Sequence, residues 1–293
     1  MVPQRWLQAQ FGMQQDDQGN FAVQSTAGLR RAVVKGELSV TDYYERAAGA
    51  AVCLRTGLDD GTSRTPRITD VISALSVKSP GVRVVHVASP PVDHFAAAYG
   101  DKGWGCGFRN IQMLISSLLG STLYRGILSD VLSQTNGNNN QQRQVKGNGS
   151  SSSSRSVDAV DGGSCMPSIP RLQAAIEAAW RQGFDAAGAE QLGHRLADTR
   201  KWIGATEVYT LLTSWGLDAQ IVDFHRPTGE RGTHPLLVDW AWDYFSGGRG
   251  AARPPLYLQH QGHSQTIAGV ERMANGSIKL LILDPSTSPA GIR

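Results

Sequence analysis

The sequence is short of the residues that build cross-linked or metal-stabilised folds. Its 293 residues include three cysteines, Cys53, Cys106 and Cys165, and no Cys-x-x-Cys pair. An odd number of widely spaced cysteines argues against a disulfide framework and against a structural zinc site. We therefore predict no metal and no other cofactor, and a reducing compartment, the cytoplasm or the nucleus.

Long apolar runs and runs of like charge are lacking as well. No stretch of about 18 consecutive apolar residues occurs, and the first residues, Met-Val-Pro-Gln-Arg-Trp-Leu-Gln, contain no apolar leader core. The net charge is only +3, and the 28 basic residues are interspersed with 25 acidic ones. The basic residues therefore form no run of the kind that binds nucleic acid. We expect neither a membrane span, nor secretion, nor a nucleic-acid partner.

Composition divides the chain into a small N-terminal segment and a larger remainder. Residues 1–80 are polar, rich in Ala, Gln and Arg, and show helical spacing, which predicts a helical arm. This arm either packs against the main domain or offers a contact surface to a partner. Residues 81–293 are predicted to form the main domain, interrupted by a segment rich in Asn, Gln and Ser at 134–166. That segment has too little apolar surface to offset the entropy of ordering, so we predict a disordered insertion.

The most distinctive stretch is Asp101-Lys-Gly-Trp-Gly-Cys-Gly-Phe-Arg-Asn110. Apolar residues recur at helical spacing from Ile111 to Leu118, so Cys106 is expected where a helix begins. Unpaired N–H groups and the helix dipole can lower a thiol pKa there from about 8.5 to roughly 3.5–7.5, which favours a nucleophilic thiolate. The three glycines around it would admit a substrate carbonyl, with the Cys106 N–H free to stabilise an oxyanion. A small buried structural cysteine is the alternative.

A nucleophilic cysteine needs a base, and the base needs an orienting acid. Among the histidines, His86, His94 and His194 have unremarkable settings. The segment Gln259-His-Gln-Gly-His263, taken as one strand, places Gln259 and His263 on the same face, where they could share a site.

Asp284 is the candidate acid because it ends the apolar run Leu280-Leu-Ile-Leu283. An Asx turn with Pro285 is its alternative role. If the last two strands pair about residues 273–274, His263 and Asp284 lie directly opposite; pairing about 275–276 would separate them by about 13 Å.

Periodicity predicts helices first and strands last. Helical runs are expected at 26–53, 111–118, 169–180 and 237–245, and residues 202–207 are expected to lead into a further apolar helix through Leu211 and Leu212. Strands are expected at 82–88, 219–224, 256–270 and 278–283. An α+β order with the nucleophile at a helix start is the plan of papain-like cysteine proteases, in which that helix packs on a C-terminal, mainly antiparallel sheet.

Together these motifs resemble one family, the ZUFSP-type cysteine peptidases, which are deubiquitinases related to the proteases of the ubiquitin-fold modifier. The similar blocks, in family order, are 101–114, 169–173, 202–209, 221–225, 232–235, 257–264 and 281–285. The resemblance implies Cys106 as nucleophile, His263 as general base and acid, and Asp284 as its orienting group. It also implies that Gln259 completes the oxyanion hole.

The resemblance further implies ubiquitin and polyubiquitin as partners, cleaved at the isopeptide bond after the C-terminal Gly-Gly. Asp185 and Glu207 would receive the arginines of the ubiquitin tail, and Trp104 and Trp202 would contact that tail. Gln265 departs from the family pattern, which usually has Arg after the preceding Ser.

Two other functions compete with this interpretation. Proteases of other ubiquitin-like modifiers share Gly-Trp-Gly-Cys but take their histidine from Asp-Pro-His, whereas Asp284-Pro285 is followed here by Ser286. A non-catalytic ubiquitin-binding module is the alternative from another class, and the intact set of candidate catalytic residues counts against it.

Overall fold

The computed structural model describes residues 19–137, 165–247, 252–260, 262–288 and 291. Its helices are α1 (Phe21–Val34), α2 (Val40–Thr56), α3 (Ile68–Lys78), α4 (Cys106–Gly120), α5 (Thr122–Gly137), α6 (Ile169–Arg181), α7 (Ala186–Gln191), α8 (Ala205–Ser214) and α9 (Pro235–Ser246). Its strands are β1 (Arg64–Thr65), β2 (Val82–Val87), β3 (His94–Phe95), β4 (Leu256–His260), β5 (His263–Met273) and β6 (Ile278–Leu283). Strands β4 to β6 follow α9, whereas β2 precedes six of the helices, and helices combined with antiparallel strands confirm the α+β class.

The main sheet is built around β5 and is antiparallel throughout. β4 and β2 pair with successive parts of one edge of β5, and β6 pairs with its other edge. β4 and β5 pair with His260 opposite His263, and Gly262 adopts a φ of 80° just before β5, a conformation that favours glycine. The C-terminal antiparallel sheet is therefore as predicted.

The predicted strand at 219–224 is wrong. The chain is irregular from Asp218 to His225 and pairs with no described strand. Ile221 and Val222 are exposed, so the apolar residues that suggested a strand have no sheet to pack against. A strand needs a partner for its N–H and C=O groups, and short periodic runs do not reveal whether one exists.

Helix α4 lies in the core of the protein. The predicted apolar positions from Ile111 to Leu118 are buried, and so are Phe108 and Met113 on other sides of the helix. The polar side chains of Arg109, Asn110 and Gln112 are buried as well, so other elements surround this helix. α4 packs against β5 and β4 on one side and against α5 and α6 on others. The start of this helix is consequently held in a fixed position.

The N-terminal arm packs against the rest of the protein through a buried ionic cluster. Arg109 of α4 makes two hydrogen bonds to the carboxylate of Asp101, at 2.7 and 3.0 Å, and one of 3.0 Å to Asp59 of the arm. All three side chains are almost wholly buried. The short strands β1 and β3 also pair across the predicted boundary at residue 80. Packing, the first of the two predicted roles of the arm, is thus observed.

The predicted insertion at 134–166 falls mainly on residues 138–164, outside the described part of the chain. At its edges the boundaries need correction. Helix α5 continues to Gly137, and Met166 is buried in the core. Over the described ranges, no helix combines the length and the apolarity that crossing a bilayer requires.

Candidate active site

Cys106 occupies the first position of α4, as predicted. Its thiol is free and half-buried. No backbone group in the described part of the chain accepts a hydrogen bond from its N–H, which lies at the helix start where such groups are unpaired. Cys106 therefore offers both a free thiol and an unpaired backbone N–H at the start of α4.

Gly105 and Gly107, on either side of Cys106, are required by internal packing, whereas a Cβ on Gly103 would meet nothing within 4 Å, so the predicted opening for substrate stays a prediction. A Cβ on Gly105 would lie 2.4 Å from the Cβ of Asp101, and one on Gly107 would lie 2.6 Å from Ile203. These distances are far shorter than a carbon–carbon contact, so the backbone needs glycine to accommodate its own neighbours.

The first turn of α4 is fastened to the sheet. The side chain of Asn110 donates to the carbonyl oxygen of Cys106 at 2.8 Å and accepts a bond of 2.6 Å from the Thr266 hydroxyl on β5. Asn110 and Thr266 are fully buried. This bridge fixes the end of α4 that carries Cys106 relative to the strand on which His263 lies.

The predicted common face for Gln259 and His263 is wrong. The segment 259–263 is a hairpin, with Gln259 opposite Ser264 and His260 opposite His263. Directly opposed residues of antiparallel strands project to the same side, so Gln259 and Ser264 share one face, and His263 the other. The turn at Gly262 reverses the chain, which the alternation argument did not anticipate.

His263 and Asp284 are brought together. The imidazole Nε2 lies 3.1 and 3.0 Å from the two carboxylate oxygens. An ionised carboxylate only accepts, so Nε2 carries the proton and donates it, which leaves the lone pair on Nδ1. The side chain of His263 is 45% exposed and that of Asp284 is 23% exposed.

The strand register at this point lies between the two that the sequence allowed. Thr266 is opposite Leu283, so the next pair toward the site is Gln265 and Asp284. His263 is two residues farther, about 7 Å along the strand. Its long side chain covers that offset and reaches the carboxylate diagonally.

Asp284 is held by several donors. Burial raises its pKa, but hydrogen bonds from the backbone N–H of Ser286, from Gln265 and from His263 outweigh burial and lower the pKa to about 2. The bonds from Ser286 and Gln265 are each 2.8 Å long. Asp284 is thus a firmly ionised acceptor, and the Asx-type bond to Ser286 exists together with the contact to His263.

His94 is a residue of this site that sequence reasoning missed. Its Nε2 donates to the backbone carbonyl of Asp284 at 2.9 Å from β3, and its side chain is fully buried. Burial lowers the pKa of His94, which favours the neutral ring. No local signal indicates this role, because 190 positions separate the two residues.

Gln259 lies on the opposite side of the hairpin, near the start of α8. Its Oε1 is 3.8 Å from the position a Cβ on Gly204 would occupy, and it lies within hydrogen-bonding distance of the hydroxyls of Tyr257 and Ser264. Burial raises the pKa of Tyr257, and the nearby Cys106 and Glu207 raise it further. Gln259 therefore belongs to the surroundings of Cys106.

The two predicted acidic residues are neighbours. Glu207 is buried and accepts a 2.7 Å bond from the N–H of Gly204. Asp185 accepts from the N–H of Gly188 and from the Thr210 hydroxyl. Burial raises the pKa of Glu207, and the charge of Asp185 adds to that rise. Within the described residues neither carboxylate pairs with a cation, so the pair has unsatisfied capacity for one.

The two predicted aromatic residues differ in setting. Trp104 is buried, packs edge-on against Phe108 and donates from Nε1 to Gln24 at 3.2 Å. Trp202 is half-buried and packs on the core two residues before Gly204. Contact of either residue with a substrate tail stays a prediction.

The thiol and the imidazole are not joined by a hydrogen bond among the described residues, so their pairing also stays a prediction. Catalytic hydrogen bonds are often long before substrate binds. In the same described residues, no group of three His, Cys, Asp or Glu side chains is arranged to hold a metal ion.

A cysteine at a helix start, together with a hydrogen-bonded His–Asp pair on the antiparallel sheet that packs against that helix, is typical of papain-like cysteine peptidases. The profile of peptidase family C78 matches residues 81–136 and 145–291. The chain belongs to this family.

Curated relatives of known name are similar over most of the chain. Zinc finger-containing ubiquitin peptidase 1 of Homo sapiens is 39% identical over 287 residues, which are 95% of this chain and 43% of the relative. The Mus musculus protein of that name is 37% identical over the same share of this chain. Ubiquitin carboxyl-terminal hydrolase mug105 of Schizosaccharomyces pombe is 33% identical over 70% of this chain and 69% of its own length. The chain thus spans less than half the length of the zinc finger-containing relatives.

Proposed function

We propose that the chain is a deubiquitinase that hydrolyses the isopeptide bond after the C-terminal Gly-Gly of ubiquitin. The observation that carries the proposal is the bond between His263 and Asp284, on the sheet that packs against the helix of Cys106. Membership of a peptidase family and the ubiquitin-cleaving names of its relatives support the substrate class.

The proposed reaction begins with proton transfer from the Cys106 thiol to the free Nδ1 of His263, as Asp284 holds the Nε2–H. The thiolate adds to the carbonyl carbon of the terminal glycine. The resulting oxyanion accepts hydrogen bonds from the Cys106 N–H and the Gln259 amide. The protonated Nδ1 then donates to the departing lysine amine, and the acyl-enzyme forms.

Hydrolysis repeats these steps with water in place of the thiol. Nδ1 of His263 removes a proton from water, and the hydroxide adds to the thioester carbonyl. The sulfur of Cys106 leaves and takes back the proton from the imidazole. The carboxylic acid formed on the terminal glycine releases its proton to solvent, so the products are a free ubiquitin carboxylate and the original enzyme.

Asp185 and Glu207 are proposed to bind the arginines of the ubiquitin tail. Their carboxylates lie close enough to raise the pKa of Glu207, and within the described residues no cation neutralises them. An incoming guanidinium would stabilise both charges and form charge-assisted hydrogen bonds. Glu207 accepts a hydrogen bond from Gly204, and the neighbouring Ile203 packs on Gly107 next to Cys106, so such a contact would place the tail near the thiol.

The proposal extends to polyubiquitin chains as substrates and to a cytoplasmic or nuclear location. All three cysteines are free, which suits a reducing compartment. A contact between the N-terminal arm and ubiquitin belongs to the same proposal. Exposed apolar side chains on α2, including Val40 and Tyr44, support it.

A panel of activity probes tests the substrate class. Ubiquitin and other ubiquitin-like modifiers, each with a C-terminal electrophile, are incubated with wild type, Cys106→Ala and, as a matched control, Cys165→Ser. Wild type and the control should form a covalent adduct with ubiquitin, and Cys106→Ala should not. Adducts with another modifier but not with ubiquitin would overturn the substrate proposal. Ubiquitin binding with no adduct would indicate a non-catalytic module.

A further inference from the structure

The side chains of Tyr257, Gln259 and Ser264 lie within hydrogen-bonding distance of one another on one face of the β4–β5 hairpin. The Tyr257 hydroxyl lies 2.6 Å from the Ser264 hydroxyl and 3.1 Å from the Oε1 of Gln259. The Ser264 hydroxyl lies 2.8 Å from the same Oε1. No described group accepts a hydrogen bond from the Nε2 of Gln259, so its two protons remain available.

Counting protons fixes the orientation of the Gln259 carboxamide. With Oε1 toward the hydroxyls, Tyr257 donates to Ser264 and Ser264 donates to Oε1, so both hydroxyl protons are used. With Nε2 in that place, the amide itself would donate to both hydroxyls. One hydroxyl proton would then lack an acceptor, and an unpaired buried donor costs about 1–3 kcal/mol. The first orientation is therefore strongly preferred.

The free end of the carboxamide lies in the neighbourhood of Cys106. Gly107, next to the cysteine, packs directly on Ile203, and Gly204, next to Ile203, lies beside the Gln259 carboxamide. One layer of close packing thus connects the helix start to the amide. Tyr257 also has Cys106 among the groups that raise its pKa.

We propose that Tyr257 and Ser264 are positioning residues that hold the Gln259 carboxamide with Nε2 directed at the oxyanion formed on attack by Cys106. This inference rests on the proposed function and deepens it. A preorganised donor stabilises the transition state more than one that must reorient during the reaction. The two hydroxyls act only through Gln259 and need not touch substrate.

Either hydroxyl alone can donate to the Oε1 of Gln259, so single and double substitutions should differ sharply in their effect on kcat. In Tyr257→Phe the Ser264 hydroxyl still donates to Oε1, and in Ser264→Ala the Tyr257 hydroxyl does so. Each single variant should therefore lose less than about tenfold in kcat, whereas the double variant should lose more than tenfold because neither donor remains. Removal of one oxyanion donor costs about 10²–10³ in kcat, so Gln259→Ala should lose about 100-fold.

The test measures kcat and KM with a ubiquitin fluorogenic substrate, and separately the rate at which iodoacetamide alkylates Cys106. Alkylation needs the thiolate but forms no oxyanion. The double variant should lose kcat while KM and the alkylation rate stay within about twofold of wild type. In the Gln259→Ala background the same two substitutions should produce no further loss of kcat.

Tyr244→Phe provides the matched control, because it also removes a partly buried hydroxyl, one that donates to the carbonyl of Pro254 at 2.9 Å. It should leave kcat unchanged. Provided that wild type cleaves ubiquitin, any of three results would overturn the inference. These are an unaltered kcat in the double variant, equal losses of kcat and alkylation rate, or a further loss of kcat in the Gln259→Ala background. Absence of ubiquitin cleavage by wild type would instead refute the proposed function, and the inference with it.

Discussion

Replacing Asp284 with Asn should reveal how strongly its charge is held. The carboxylate accepts from His263, Gln265 and the N–H of Ser286, and its pKa lies at about 2 against an ordinary value of 3.8. A difference of one pKa unit corresponds to about 1.4 kcal/mol, so the charge stabilises the folded state by about 2 kcal/mol at neutral pH. Asn keeps one acceptor oxygen but turns the other into a donor, which conflicts with these N–H groups.

The stabilisation that the Asp284 charge provides should decrease as the pH falls. The folded pKa is below the unfolded one, so the stabilisation is present above about pH 4 and disappears as the pH falls through about 2. Urea denaturation, followed by tryptophan fluorescence, should show Asp284→Asn less stable than wild type by about 2 kcal/mol at pH 7. By pH 3 the difference should have fallen to about half.

Asp223→Asn is the matched control for this experiment. Asp223 pairs with His225 at 3.4 Å, but both side chains are largely exposed. An exposed ion pair contributes about 0–1 kcal/mol, so this substitution should change stability little at any pH. If Asp284→Asn lowers stability by the same amount at pH 7 and pH 3, the carboxylate charge is not what stabilises the site.

Three further substitutions test other parts of the structure. Arg109→Met should lower the free energy of unfolding by about 3–5 kcal/mol, measured in urea, because it leaves buried carboxylates without their cation; a loss below 1 kcal/mol would contradict the buried cluster. Thr266→Val removes the donor to Asn110 and should cost about 1–3 kcal/mol by the same assay, and a neutral result would mean that the bridge contributes nothing. Glu207→Gln should raise KM for ubiquitin several-fold with kcat little changed, since the amide still accepts from Gly204; steady-state kinetics with unchanged KM would exclude tail binding there.

Local patterns were sufficient to predict the position of Cys106 and the helix that follows it. Glycines before a run of apolar residues at helical spacing place Cys106 at a helix start, and both features are contained in about 20 consecutive residues. The strand that ends at Leu283 was predictable for the same reason. The contact between His263 and Asp284 was expected from their place beside these strands and from the family resemblance.

Features that depend on long-range pairing were beyond local patterns. A turn at Gly262 separates the faces of Gln259 and His263, and alternation alone treats the segment as continuous. A bulge in β5 changes the register by one residue and sets the offset between His263 and Asp284. His94 reaches the site only because β3 lies beside the end of β6 in three dimensions.

The buried Arg109, whose guanidinium pairs with both Asp59 and Asp101, limits where the chain can be truncated. A fragment beginning at residue 81 would retain only one of the two carboxylates that neutralise this enclosed cation, and it would also uncover the strand edge that β1 protects. Recombinant proteins for activity assays should therefore begin before Phe21, so that the complete fold is present when cleavage is measured.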